Sequence, residues 1–162
     1  MTAALHDAQV LESLADEIES RFPQAVADIV DDDGTRVDIP RMWEIHDPYV
    51  EPQPVNLPAC IIYPIASSQV PLGGNTGPKD SIIDALICVI HQAQSTEEAA
   101  LHARWYARVI DLVLKAIHDA QAVSGLYYIQ ATGVRVDPYG EDLFRRRSGM
   151  LSRLLVRTTR GA

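Results

Sequence analysis

Apolar positions fall every three or four residues from about Leu5 to Phe22, where Val10, Leu11, Leu14, Ile18 and Phe22 make one stripe. That spacing predicts an amphipathic helix. Pro23 is expected to stop or re-set it, with Ala25, Val26 and Ile29 continuing briefly as a further turn. Asp31-Asp32-Asp33-Gly34 reads as a turn, and Thr35 to Ile39 alternates as a short strand. From Pro40 to Pro58 five prolines surround Trp43, Ile45 and Tyr49. Proline at that density excludes a helix or a central strand. An extended arm or edge segment is the expectation, with its large apolar residues covered by something.

Ala59 to Ile65 is a strand by composition, and Ala66 to Asp80, with three glycines and two prolines, is expected to be a long exposed loop. Ser81 to Gln92 is apolar on both faces, which predicts a central strand covered on both sides. Ser95-Thr96-Glu97-Glu98 has the capping-box form: Ser95 caps the helix and Glu98 stands at its third position. The stripe Ala99, Ala103, Tyr106, Val109/Ile110, Val113, Ile117 then carries a helix to about Gln121, ended by Ser124-Gly125. Leu126 to Val136 reads as a strand with a bulge or bend at Gly133. A polar loop follows through Arg147, and Met150 to Thr159 forms the last strand. The order predicts a single α+β domain, residues 1–162, in which a mostly antiparallel sheet of about four to six strands is packed by two main helices.

Composition narrows the class. The 162 residues are 47% apolar and 22% charged, which excludes disordered, collagen-like and disulfide-scaffold proteins. A chain this long buries roughly 70% of its unfolded surface, enough to be stable without metal or disulfides. Cys60 and Cys88 sit in apolar segments with no CxxC spacing and read as buried hydrophobes. The polar, acidic start resembles neither a secretory signal nor a transit peptide. The longest apolar run, Ile82 to Ile90, contains Asp84 and is too short to span a bilayer, so no membrane partner is expected.

The net charge of −8 hides an asymmetry. Residues 1–80 carry 14 acids and 4 bases, while residues 81–162 carry 8 acids and 10 bases. The segment from Leu143 to Ala162 holds six arginines and no acid. Net negative charge argues against a freestanding nucleic-acid binder but leaves room for a local basic strip that meets a phosphate or an acidic partner.

Known chemistry is harder to find. Gly73-Gly74-Asn75-Thr76-Gly77-Pro78-Lys79-Asp80 fails as a P-loop, because Pro78 stands where the second glycine is needed and Asp80 replaces the Mg²⁺-binding hydroxyl. His6, His46, His91, His102 and His118 are scattered, without the clustering that metal ligation needs. No GxSxG elbow or EF-hand spacing occurs. The expectation is therefore a non-enzymatic protein with no cofactor, no metal and no catalytic residues.

The basic strip is the stronger signal. Arg145, Arg146 and Arg147 are placed in a hairpin loop, and Arg153 and Arg157 share one parity on the last strand. Arginine outnumbers lysine 12 to 2, and arginine favours forked pairing with carboxylates across interfaces. With Trp43 and Tyr49 of the arm and Leu72 and Lys79 of the glycine-rich loop, these residues form the candidate assembly interface. An acidic first half and a basic last strand suit head-to-tail contacts, which close into rings.

The layout resembles the tail terminator, or tail-completion, proteins of long-tailed bacteriophages. The resemblance lies in the opening LESLADEIESRFP, the strand LPACIIYPI, the glycine-rich loop before SIIDALICVI and the capped helix STEEAALHARWYARVIDLVLKAI. It is completed by the closing pair GLYYIQATGVRVDPYG and SGMLSRLLVRTTR, so it covers nearly the whole chain through arrangement and not through a short motif. It implies a virion subunit that forms a ring, commonly a hexamer, assembled in the bacterial host cytoplasm. Such a ring caps the finished tail tube, ends its polymerisation and presents a surface to the head–tail connector or neck protein; whether DNA contacts its lumen is left open by the resemblance. The alternatives are a head-completion or minor tail component, and, from a different class, a small cytosolic enzyme or ligand-binding domain.

Overall fold

A computed structural model of the chain describes residues 2–33, 38–45, 57–71, 79–138 and 145–158. The elements are α1 (Thr2–Asp33), β1 (Met42–Ile45), β2 (Ala59–Pro71), β3 (Lys79–Gln92), α2 (Thr96–Ala120), β4 (Leu126–Pro138) and β5 (Arg145–Thr158). The five strands form one sheet in the order β1-β2-β3-β5-β4. The sheet is antiparallel except at one edge, where β1 pairs with β2 in parallel, Met42 opposite Ala59 and Ile45 opposite Ile62. The α+β expectation with two helices holds, and the sheet is mixed.

The second helix follows its sequence closely. Ser95 takes an extended backbone, and its Oγ accepts from the Glu98 N–H at 3.1 Å. Glu98 Oε2 accepts from the Gln94 N–H at 3.1 Å, one residue before the usual reciprocal bond. The predicted stripe is buried in full, from Ala99 through Ile117. The helix ends at Ala120, as expected, but the residue that ends it is Gln121, which takes the left-handed conformation and closes the last turn, and not Ser124-Gly125.

Pro23 does not stop the first helix, which continues to Asp33. Pro23 costs the bond to the Glu19 carbonyl, but both residues are exposed, so water can take that carbonyl. On the other side Phe22, Ala25, Val26 and Ile29 remain buried in the core and hold the line of the helix. The aspartates expected to form a turn therefore belong to the last helical turn. Of the strand expected at Thr35 to Ile39, residues 35–37 lie outside the described residues, and Asp38 and Ile39 are not in a strand.

α2 lies over β3, β5 and β4, and α1 packs beside it and over β1. The main core between helices and sheet contains Phe22, Tyr106, Ile110 and Val113 from the helices, with Cys60, Ile83, Ile87, Met150 and Leu154 from the sheet. Alternation on β3 then sends Leu86, Cys88 and Ile90 to the opposite face, where they join Ala59, Ile61 and Tyr63 in a second buried cluster. β3 is thus the doubly covered central strand that its composition predicts, and both cysteines are buried and free.

Three boundaries differ from expectation. β2 and β3 pair through Pro71 opposite Lys79, so the exposed loop expected at 66–80 is replaced by strand at both ends, and 72–78 lies outside the described residues. β5 begins at Arg145, not Met150, because residues 145–149 complete the ladder with Gln92 to Cys88. Within the proline-rich stretch, residues 42–45 form the sheet's parallel edge strand, and residues 46–56 lie outside the described residues. Gly133 does mark a register shift against β5, as expected, with a second shift at Tyr128/Gln130.

Candidate functional site

The arginines predicted to occupy a hairpin loop stand instead in a β-ladder. Arg145, Arg146 and Arg147 lie opposite Gln92, His91 and Ile90, and all three are half-buried. Arg147 sits on the sheet face away from the helices, with its guanidinium 5.7 Å from the centre of the Tyr63 ring. That is within the range of a cation–π contact. Further along the same face Arg153 forms a forked pair with Asp84, Nε to Oδ1 at 2.9 Å and Nη2 to Oδ2 at 3.1 Å. The fork holds the Asp84 carboxyl below its ordinary value, through the hydrogen bond first, and raises that of Arg153. Arg157 stands opposite Asp80 in the same register. Of the strip that reads as unopposed along the chain, Arg153 is met across strands by an acid of β3.

Of the other candidate residues, Trp43 is half-buried on β1, edge-on to Phe22 with ring centres 5.3 Å apart. It anchors the edge strand to α1. Lys79 opens β3, while Tyr49 and Leu72 lie outside the described residues.

A second site has no counterpart in the sequence reading. Where β3 ends and α2 begins, a cleft of about 530 Å³ is lined by Asp38, Leu57, Pro58, His91, Gln94, Glu98, His102 and Tyr106, among others. Glu98, His102 and Tyr106 are four residues apart on α2, so they share one helix face. The Tyr106 hydroxyl donates to the Asp38 carbonyl at 2.6 Å, tying the chain ahead of β1 to the helix. Burial pushes the Tyr106 phenol upward. His102 Nε2 lies 3.7 Å from Glu98 Oε1.

His91 forms part of the cleft wall and is 1% exposed. Its Nε2 lies 2.8 Å from Ser148 Oγ, itself fully buried, and its ring centre is 4.9 Å from that of Tyr106 and 6.3 Å from that of His102. Burial, with His102 and Arg146 nearby, lowers its pKa from 6.5 to about 4, so the imidazole is neutral at pH 7. Its Nδ1 is buried and has no hydrogen-bond partner among the described residues.

In the sequence His91 is only the last residue of an apolar strand, and nothing there indicates that Ser148, 57 positions later, will face it. The spacing of Glu98, His102 and Tyr106 is a usable signal, but Asp38, Leu57 and Pro58 reach the cleft through chain folding alone. Among the described residues no group of three or more His, Cys, Asp or Glu could hold a metal ion, and no helix is long and apolar enough to cross a membrane. Compared with known proteins, the chain matches no family model and no characterised protein.

Proposed function

We propose that this protein is a structural subunit of a long-tailed phage virion, forming a homo-oligomeric ring at the head-proximal end of the tail tube. The ring, a hexamer in this reading, ends tube polymerisation and joins the tail to the head connector. The observation that carries the proposal is the sheet face away from α1 and α2, where Arg147 and Arg153 are fixed by Tyr63 and Asp84 along one strand. Arginines already held by neighbours lose little side-chain entropy when a partner's carboxylates meet them. The opposed charge of the chain's two halves suits head-to-tail contact between copies. The element order, a long helix, a sheet, a capped helix and a closing strand pair, supports the resemblance on which the phage assignment rests.

Native mass spectrometry and negative-stain imaging of the purified chain, alone and with tail tubes, test this reading. Closed rings that bind tube ends and weaken with salt are expected. Monomers at all concentrations, with no binding to tubes, would overturn it.

The cleft around His91 favours a second reading, a small ligand-binding domain. A concave site with convergent polar groups and a titratable residue shifted by burial is the usual anatomy of such a domain.

A further inference from the structure

Among the described residues, β4 is an outer strand of the sheet, with β5 on one side and no strand on the other. The backbone at its start nevertheless has partners besides β5, and side chains at the end of α2 supply them. Gln121 Nε2 donates to the Leu126 carbonyl at 3.0 Å, and the Tyr128 N–H donates to His118 Nδ1 at 2.9 Å. The Leu126 N–H goes back to the Val123 carbonyl at 3.0 Å. A carbonyl and an N–H two residues apart on an edge strand are the groups that a neighbouring strand would engage. Gln121 and His118 therefore take the place of that strand and blunt the edge.

This cover is fixed by contacts of its own. Gln121 adopts φ 48°, in the left-handed region that is uncommon outside glycine, and both ends of its amide are used. Nε2 donates to the His118 carbonyl at 3.1 Å as well as to Leu126, and Oε1 accepts from the Gly125 N–H at 3.3 Å. The Tyr128 hydroxyl donates to Asp111 Oδ1 at 2.9 Å, and Lys115 Nζ pairs with Asp111 Oδ2 at 2.8 Å. The His118 ring lies edge-on to Tyr127, with ring centres 5.5 Å apart. Past Tyr128 the strand slips its register against β5, and Ile129 is exposed.

The two side-chain caps differ in one chemical respect. The Gln121 amide does not titrate, whereas His118 Nδ1 accepts only while the imidazole is neutral with its proton on Nε2. An imidazolium carries a hydrogen on both nitrogens and has no lone pair to offer. We infer that His118 is an acid-released latch on the β4 edge: protonating the imidazole breaks its bond to Tyr128, frees that N–H and opens the start of β4 to solvent or to an added strand. The charged groups around the imidazole are Asp111, Lys115 and Asp119 of α2, which line one cleft with it. β4 and the turn at 121–125 bring Tyr127, Tyr128 and Gln121 against it, none of them charged near neutral pH.

The test follows the ¹⁵N-labelled full chain by NMR from pH 7.5 down to pH 5, an interval over which His91, at about 4, stays largely neutral. At pH 7.5 His118 Nδ1 should show the shift of an unprotonated, hydrogen-bonded nitrogen. As the imidazole takes up its proton, the Tyr128 amide should lose about tenfold in protection against hydrogen exchange, corrected for the intrinsic rate. Amides in the middle of β3, such as that of Ile87, should keep theirs. His118→Gln offers an acceptor that does not titrate, and it should hold Tyr128 at one level of protection across the interval. If that variant fails to fold, the wild-type tautomer and the pH course of exchange decide alone. A neutral imidazole with its proton on Nδ1, an imidazole still neutral at pH 5, or Tyr128 protection unchanged by its protonation would each overturn the inference. So would an equal loss of protection in His118→Gln. Each readout is local to the α2–β4 corner, so it stands whether or not copies of the chain assemble.

Discussion

Asp84 of β3 and Arg153 of β5 face each other in register and close a two-bond fork at 2.9 and 3.1 Å on the sheet face away from the helices. Both residues belong to the second half of the chain, so the fork answers the arginine-rich segment from within that half. An acid from the start of β3 meets a base from the arginine-rich end, and Asp80 stands opposite Arg157 four residues away.

Because both partners of the fork reach solvent, its contribution to stability is small and screened by salt. A double-mutant cycle of Asp84→Asn and Arg153→Met, by urea unfolding, should show coupling at low salt that fades by 1 M NaCl. Asp84 has a depressed pKa, so its stabilisation is complete above its ordinary value of 3.8 and is lost as the pH falls through the lower folded value. Coupling that persists at high salt would mean that the pair is shielded from solvent.

His91 gives a pH dependence with a different window. Its folded pKa is lowered, so the unfolded chain takes up the proton first. Stability is full above pH 6.5 and declines as the pH falls toward about 4, by on the order of 2–3 kcal/mol. His91→Gln should be less stable at neutral pH and should lack this part of the acid limb. Parallel wild-type and variant stability curves between pH 7 and 4.5 would disprove the assignment.

Gly149 is required by close approach between strands. A Cβ there would lie 2.1 Å from the Ile87 carbonyl oxygen and 2.5 Å from the Cys88 Cα, so backbone would have to move. Gly149→Ala should cost more than about 3 kcal/mol or abolish folding, while Ser148→Ala nearby should be milder. Circular dichroism with thermal unfolding distinguishes the two.

Pro23 works against its own helix. Restoring the missing N–H with Pro23→Ala should raise stability by about 1–2 kcal/mol, less than the full propensity difference because the unfolded chain gains freedom. A drop in the unfolding midpoint would show that the helix depends on the proline's geometry.

Local pattern was sufficient where side-chain period and burial coincide on one element. The α2 cap at Ser95, its stripe from Ala99 to Ile117, the two-sided burial of β3 and the irregularity at Gly133 are all legible because neighbours in sequence decide them. Where two segments compete, the same reasoning fails. Pro23 looks like a stop until Phe22 and Val26 find a core to bury in, and Arg145 to Arg147 look like a loop until β3 offers a ladder. Backbone pairing and burial against distant residues outweigh local propensity by several interactions to one.

The candidate site divides the same way. The sequence by itself determined the α+β class, the central strand, the capped helix and the presence of an arginine-rich closing segment. Only the tertiary structure decided that Asp84 answers Arg153, that β1 joins the sheet in parallel and that His91, Ser148, Tyr106 and Asp38 converge on one cleft. Those contacts span tens of residues, and a pattern of period 2 or 3.6 assigns each residue a face without saying which distant face it will meet.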